Sequence, residues 1–92
     1  STLGGIFMER YTKREADGRV SVPPEQLDQA LERLARFEDM ALGLEAEQGD
    51  IAARLAALRE QGRDKTVQFR ELLAQKLTNS NLRLLLERYR LL

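Results

Sequence analysis

The sequence has no cysteine, no histidine and no tryptophan, and it has only two prolines. Without cysteine, the chain has no disulfide framework, no thiolate nucleophile and no cysteine-ligated zinc. Without histidine, it has no imidazole general base and no histidine-ligated metal. We therefore expect a protein that is not an enzyme and that needs no cofactor or metal ion.

The sequence also lacks an excess of one charge and a long hydrophobic run. Fifteen basic residues balance fifteen acidic ones, so there is no overall attraction to nucleic acid or to an anionic membrane. The most apolar stretch, Leu82 to Leu92, is interrupted by charged residues and is too short to cross a bilayer. We expect a cytoplasmic protein without a membrane partner, and the balanced charge disfavours a nucleic-acid partner.

Leucine and alanine dominate the composition and predict an all-α fold. The chain has 17 Leu and 10 Ala but only 3 Val and 2 Ile, a balance that favours helices over strands. A chain of 92 residues allows one small domain and buries a modest fraction of its surface. A partner subunit would therefore help to stabilise it.

Residues 1–23 show no helical period and are predicted to form an irregular segment or a small β-hairpin. Asp17 and Gly18 form a dipeptide suited to a tight turn, and residues 10–14 and 19–22 flank it as candidate strands. We treat residues 24–92 as a separate helical hairpin domain.

A heptad pattern predicts the first helix over residues 24–61. Its a positions are Leu27, Leu34, Ala41, Gln48 and Leu55, and its d positions are Ala30, Phe37, Leu44, Ile51 and Leu58. Nine of these ten residues are apolar, which is typical of a packed helical seam, and Gln48 is expected to set its register. Gly62 is expected to end the helix. Gly43 and Gly49 leave open a break into two helices, but they lie outside the seam and do not shift it, so we favour one helix.

The second helix is predicted over residues 64–90, with Asp64 or Thr66 as its N-cap. Its main apolar stripe is Leu73, Leu77, Ser80, Leu84 and Leu91, and a second stripe near its end is Leu82, Leu85, Leu86, Tyr89 and Leu92. Residues 24–61 carry nine acids and four arginines, whereas residues 62–92 carry seven bases and three acids. Opposite charges on consecutive helices favour an antiparallel hairpin.

These stripes predict which leucines pack inside the hairpin and which pair two copies of it. The predicted hairpin core is Leu34, Phe37, Leu44, Ile51, Leu55, Leu58, Leu73, Leu77, Leu84 and Leu91. The other apolar residues lack a counterpart in the hairpin and predict a dimer interface of Leu27, Leu31, Leu82, Leu85, Leu86, Tyr89 and Leu92. A two-fold pair of hairpins gives a four-helix bundle, and we expect a homodimer of this kind.

Three short motifs give the chain a family resemblance. They are Met8 to Arg14 followed by Asp17-Gly18, then Leu34-Ala35-Arg36-Phe37-Glu38-Asp39, then Leu72-Leu73-Ala74-Gln75-Lys76-Leu77-Thr78. With them, the chain resembles small bacterial proteins of phage and prophage regions that have no assigned activity. It departs from that pattern after Asp39, where the family often has a helix break and residues 40–44 here stay in heptad phase. The resemblance implies a phage-associated origin and a natural start at Met8, with residues 1–7 preceding it.

The sequence is compatible with two classes of function. The first is a non-enzymatic interaction protein that works by self-association or by docking a helix of an unknown protein partner. The second is a small phage-type regulator that contacts nucleic acid through basic residues. Those residues are Arg63, Lys65, Arg70, Lys76, Arg83, Arg88 and Arg90 in the last segment, and Arg10, Lys13, Arg14 and Arg19 in the first. Because the acids on the same small domain cancel the field of these bases, we favour the first class.

Overall fold

The computed structural model describes residues 8–92, which form a short β-hairpin followed by two α-helices. Strands β1 (Lys13–Arg14) and β2 (Val20–Ser21) pair antiparallel. A 3-10 turn at Pro24–Gln26 leads into α1 (Leu27–Glu60), and α2 spans Val67–Arg88. The chain divides into two units, with the boundary between Phe37 and Glu38 inside α1. The prediction about residues 1–7 lies outside the described part of the chain.

The predicted fold class is confirmed for the single chain. In the second unit, α2 packs antiparallel against the part of α1 that follows Phe37. The helices are shorter than the predicted ranges 24–61 and 64–90, because α1 is preceded by a 3-10 turn and α2 begins only after its N-cap. In the described residues, no helix combines the length and the hydropathy that a membrane span requires.

The turn of the β-hairpin is built around Gly18, which has a φ of +90°. The Gly18 amide donates to the Glu15 carbonyl, and the Glu15 amide donates to the Arg19 carbonyl. This is a three-residue loop in which a glycine in the left-handed region closes the turn. The Asp17 carboxylate accepts bonds from the backbone amide and the guanidinium of Arg19. These hydrogen bonds stabilise the charged carboxylate and lower the pKa of Asp17 from its usual 3.8. The bond from the backbone amide has the larger effect, and the bond from the guanidinium has the smaller one.

The helix α1 is continuous over 34 residues, through both Gly43 and Gly49. A Cβ atom placed on either glycine would meet nothing within 4 Å. Both glycines therefore lie on the outside of the helix, where they interrupt no packing. The structure confirms one long helix and excludes the alternative of two.

Local signals define the turn between the helices. Gly62 has a φ of +70°, its amide donates to the Arg59 carbonyl, and the Arg63 amide donates to the Leu58 carbonyl. These two bonds form a Schellman motif with Gly62 at the C′ position, as predicted. The Thr66 hydroxyl then accepts a bond from the Phe69 amide at 3.1 Å, which makes Thr66 the N-cap of α2.

The main core of the second unit lies next to this turn. It consists of Ile51, Leu55 and Leu58 on α1 and Phe69 on α2, with Leu72 packed against them. Leu55 is the most enclosed, with 1% of its surface exposed. The Arg59 guanidinium stacks over the Phe69 ring at 5.0 Å from its centroid. The core is therefore made by α1 residues at the predicted heptad positions and by the first two turns of α2.

Candidate interaction surfaces

A polar layer follows the core along the hairpin. The Gln48 amide donates to the Lys76 carbonyl at 3.3 Å and to the Ser80 hydroxyl at 3.2 Å. Asn79 is 3% exposed and its amide donates to a Glu47 carboxylate oxygen at 3.3 Å. These bonds cross from α1 to α2, so they fix how the two helices are aligned.

The cross-helix bonds also distinguish the two sides of the hairpin. Gln48 meets Ser80 on one side, which we call the serine side. Glu47 meets Asn79 on the other, which we call the asparagine side. On α2, Leu73, Leu77 and Leu84 lie seven, three and four positions from Ser80 and so belong to the serine side, whereas Leu82 lies three positions after Asn79 on the asparagine side.

The face of α2 that packs against α1 is offset by about one residue from the apolar stripe predicted from the sequence. The face towards α1 runs through Leu72, Asn79, Arg83 and Leu86, which are all buried or half-buried. The predicted stripe of residues 73, 77, 80 and 84 is rotated from it by about 100°. Counting leucines favoured the predicted stripe, whereas the bond between Asn79 and Glu47 and the ion pair between Arg83 and Glu45 hold the other face inward.

The residues predicted to form the hairpin core separate into two groups. Five are buried or half-buried, and all of them are on α1: Phe37, Leu44, Ile51, Leu55 and Leu58. The other five are exposed: Leu34, Leu73, Leu77, Leu84 and Leu91. Leu77 is 61% exposed and Leu84 is 59% exposed, so the rotation of α2 places them outside the helix contact. The core contribution of α2 comes instead from Phe69 and Leu72, which the apolar stripes did not predict because neither residue lies on the leucine repeat.

Two apolar surfaces of α2 are consequently exposed, one on each side of the hairpin. We name the first the leucine row, and it consists of Leu73, Leu77 and Leu84. These residues are spaced around Ser80 and belong to the serine side. We name the second the terminal patch, and it consists of Leu82, Leu85 and Tyr89. Leu82 lies three positions after Asn79, and Leu85 and Tyr89 follow it at spacings of three and four, so the patch lies on the asparagine side.

The structure places most of the predicted dimer residues on exposed surface. Leu27, Leu31, Leu82, Leu85, Tyr89 and Leu92 are exposed, whereas Leu86 is half-buried. Leu27 and Leu31 belong to the first unit and the others to the second. Pairing between two copies is not tested by a single chain, and it stays a prediction.

The first unit contains an open cleft of about 210 Å³ lined by Tyr11, Gln29, Glu32, Arg33 and Arg36. The Arg33 guanidinium stacks over the Tyr11 ring at 4.1 Å from its centroid and donates to the Glu9 carbonyl at 2.7 Å. Arg36 pairs with Glu32 one turn away. The polar groups that line the cleft therefore attach the segment before β1 to α1 or pair within α1. We interpret the cleft as a by-product of this packing and not as a binding site.

Some charged side chains of the two helices form ion pairs within the described residues and others do not. Arg83 pairs with Glu45 across the helices and with Glu87 along α2. Arg70 and Arg88, by contrast, have no ion-pair partner among residues 8–92, and neither do Glu38 and Glu60 on α1. In the same residues, no group of three acids is placed to hold a metal ion.

Comparison with known proteins does not assign this chain to a family. No protein-family model, curated protein or solved structure matches the chain. The resemblance to phage-associated proteins therefore stays a prediction.

Proposed function

We propose that this protein acts by self-association, as a non-enzymatic helical homodimer built through the exposed leucines of α2. The observation that carries the proposal is the rotation of α2, which leaves both the leucine row and the terminal patch outside the hairpin. Contiguous apolar surface of this kind usually marks an interface. A second copy is the partner that is present wherever the protein is present, and two-fold pairing is the commonest arrangement.

The energetics of the single chain support this proposal. In residues 8–92, six hydrophobic residues are buried and sixteen large ones are exposed. A leucine that stays in water forgoes about 1.5–3 kcal/mol of burial free energy. Covering even half of the surface of the three residues in the leucine row would contribute a few kcal/mol. A small hairpin with so short a core gains much of its stability if a second copy provides that cover.

Thermal unfolding at different protein concentrations tests the proposal. Because a dimer dissociates when it unfolds, its Tm rises with protein concentration. We expect a clear rise in Tm, followed by circular dichroism at 222 nm, between about 1 µM and about 100 µM. A Tm that is the same at both concentrations contradicts self-association in this range.

A gel-shift experiment on the same protein preparation distinguishes self-association from the alternative, nucleic-acid binding. A labelled duplex that shifts with the protein at low salt and is released as salt rises would support the regulator instead. Self-association alone predicts no shift of the duplex.

A further inference from the structure

We infer that the leucine row of α2 packs against α1 of a second copy, on the serine side of the hairpin, and that the terminal patch is not the interface. The inference rests on the proposed function and specifies its geometry. It differs from the prediction made from the sequence, which placed the terminal patch at the dimer contact. Three features support it: the sizes of the residues on the serine side, the register between the helices, and the charged residues at the two ends of the leucine row.

The serine side presents large residues on α2, whereas on α1 it presents Glu45, which pairs with Arg83 of its own chain, followed by small residues. Gln48 defines this side of α1, and Ala52 lies one turn from it. Gly49 and Ala56 lie next to Ala52 on the same exposed flank, and a Cβ on Gly49 would meet nothing within 4 Å. The leucine row therefore stands beside a flank of α1 that has room for the leucines of another copy.

A two-fold axis parallel to the helices brings these two flanks together. Rotation about such an axis places α2 of one copy over α1 of the other and does not change the level of any residue along the axis. The register between copies is then the register observed within one copy, which the Glu45–Arg83 and Gln48–Ser80 contacts define. Leu73 and Leu77 come to the level of Gly49, Ala52 and Ala56 of the second copy. Because both copies do this at once, the assembly closes as a dimer.

The same register brings to similar levels four charged residues that have no ion-pair partner in the described part of a single chain. Continuing from Arg83 towards the end of α2, Arg88 comes within about half a helical turn of the level of Glu38. Continuing from Ser80 in the other direction, Arg70 comes equally close to the level of Glu60. All four residues lack an ion pair within residues 8–92. Complementary charges at both ends of the leucine row favour a second copy over an unrelated helix.

The masses of two variants, one for each exposed surface, test the inference when they are measured by light scattering after size exclusion. The row variant carries Leu73→Gln, Leu77→Gln and Leu84→Gln, and the patch variant carries Leu82→Gln and Leu85→Gln. All five positions are exposed in the single chain, so neither variant removes a core contact, and circular dichroism establishes that each variant is helical before its mass is compared. We expect the row variant to have half the mass of the wild-type protein and the patch variant to have the same mass as the wild-type protein.

Other outcomes identify which statement fails. If the patch variant dissociates and the row variant does not, self-association stands and the assigned face is wrong. If neither variant dissociates a wild-type dimer, the assigned face is again wrong. If the wild-type protein is a monomer, the proposed function and this inference fail together.

A charge exchange tests the register without removing any apolar residue. We expect Arg88→Glu to weaken the dimer at least several-fold in Kd, since it places like charges together, and Glu38→Arg in the same chain to restore it. The exchange Arg36→Glu with Glu32→Arg serves as control, because that pair lies within one helix. Failure of Glu38→Arg to restore the dimer overturns the proposed register.

Discussion

Replacing Gln48 by leucine tests whether the polar layer stabilises the hairpin or only aligns it. The substitution removes two neutral hydrogen bonds, to the Lys76 carbonyl and the Ser80 hydroxyl, worth about 0.5–1.5 kcal/mol each. It also removes the Gln48 Oε1 atom, which is buried and has no hydrogen-bond partner. Such an atom costs about 1–3 kcal/mol.

The partners of Gln48 lose little when it is replaced. The Lys76 carbonyl lies inside α2 and still accepts the bond of the helix itself. Leucine adds apolar contact beside Ile51 and Leu44, the buried neighbours on the same seam. The balance favours Gln48→Leu, and we expect the free energy of unfolding to rise by about 1 kcal/mol.

Urea unfolding at a fixed protein concentration measures the change, and Gln48→Glu is the matched control. Glutamate has the same length but its carboxylate cannot donate to the Lys76 carbonyl. We expect this variant to lose about 1 kcal/mol or more at neutral pH and to recover part of it in acid, where a protonated carboxyl donates. A loss greater than about 1 kcal/mol for Gln48→Leu would refute the reasoning, since the hydrogen bonds would then exceed the cost of the buried carbonyl.

The helix ends and the outer glycine give four further predictions, each checked by the midpoint of urea unfolding. Gly43→Ala should raise stability by up to about 1 kcal/mol, because the position is helical, open and outside the proposed interface, and a loss would mean that a close contact forms there. Gly62→Ala should lower stability by about 1 kcal/mol, because Gly62 has a φ of +70°, and an unchanged midpoint would contradict the Schellman motif. Arg90→Gly should raise it by a similar amount, because Arg90 has a φ of +59°, and a decrease would contradict that conformation. Thr66→Ala should cost about 1 kcal/mol through the lost N-cap, whereas Thr66→Ser should cost little.

The sequence predicted those features that depend on a few neighbouring residues. The end of α1 follows from Gly62, which can adopt a positive φ without strain, and the start of α2 follows from the hydroxyl of Thr66. The continuity of α1 follows from a seam that does not change phase at Gly49. In each case the local preference and the packed structure agree, so the pattern alone is sufficient.

The inward face of α2 could not be predicted in the same way. Leucines occupy more than half of the circumference near its end, so hydrophobic periodicity does not select one face. The choice depends on Asn79 and Ser80, whose bonds reach Glu47 and Gln48 more than thirty residues earlier. A pattern of apolar residues has no information about such pairs. The exposed surfaces proposed for self-association were therefore visible only after the rotation of α2 was known.

The molar mass of the wild-type protein in solution tests the central claim most directly. Light scattering after size exclusion, with the protein loaded at about 100 µM, gives this mass without reference to shape. We expect a species of twice the chain mass of 10.5 kDa. A single species at 10.5 kDa would contradict self-association, and the leucines of α2 would then lack the partner that we assign to them.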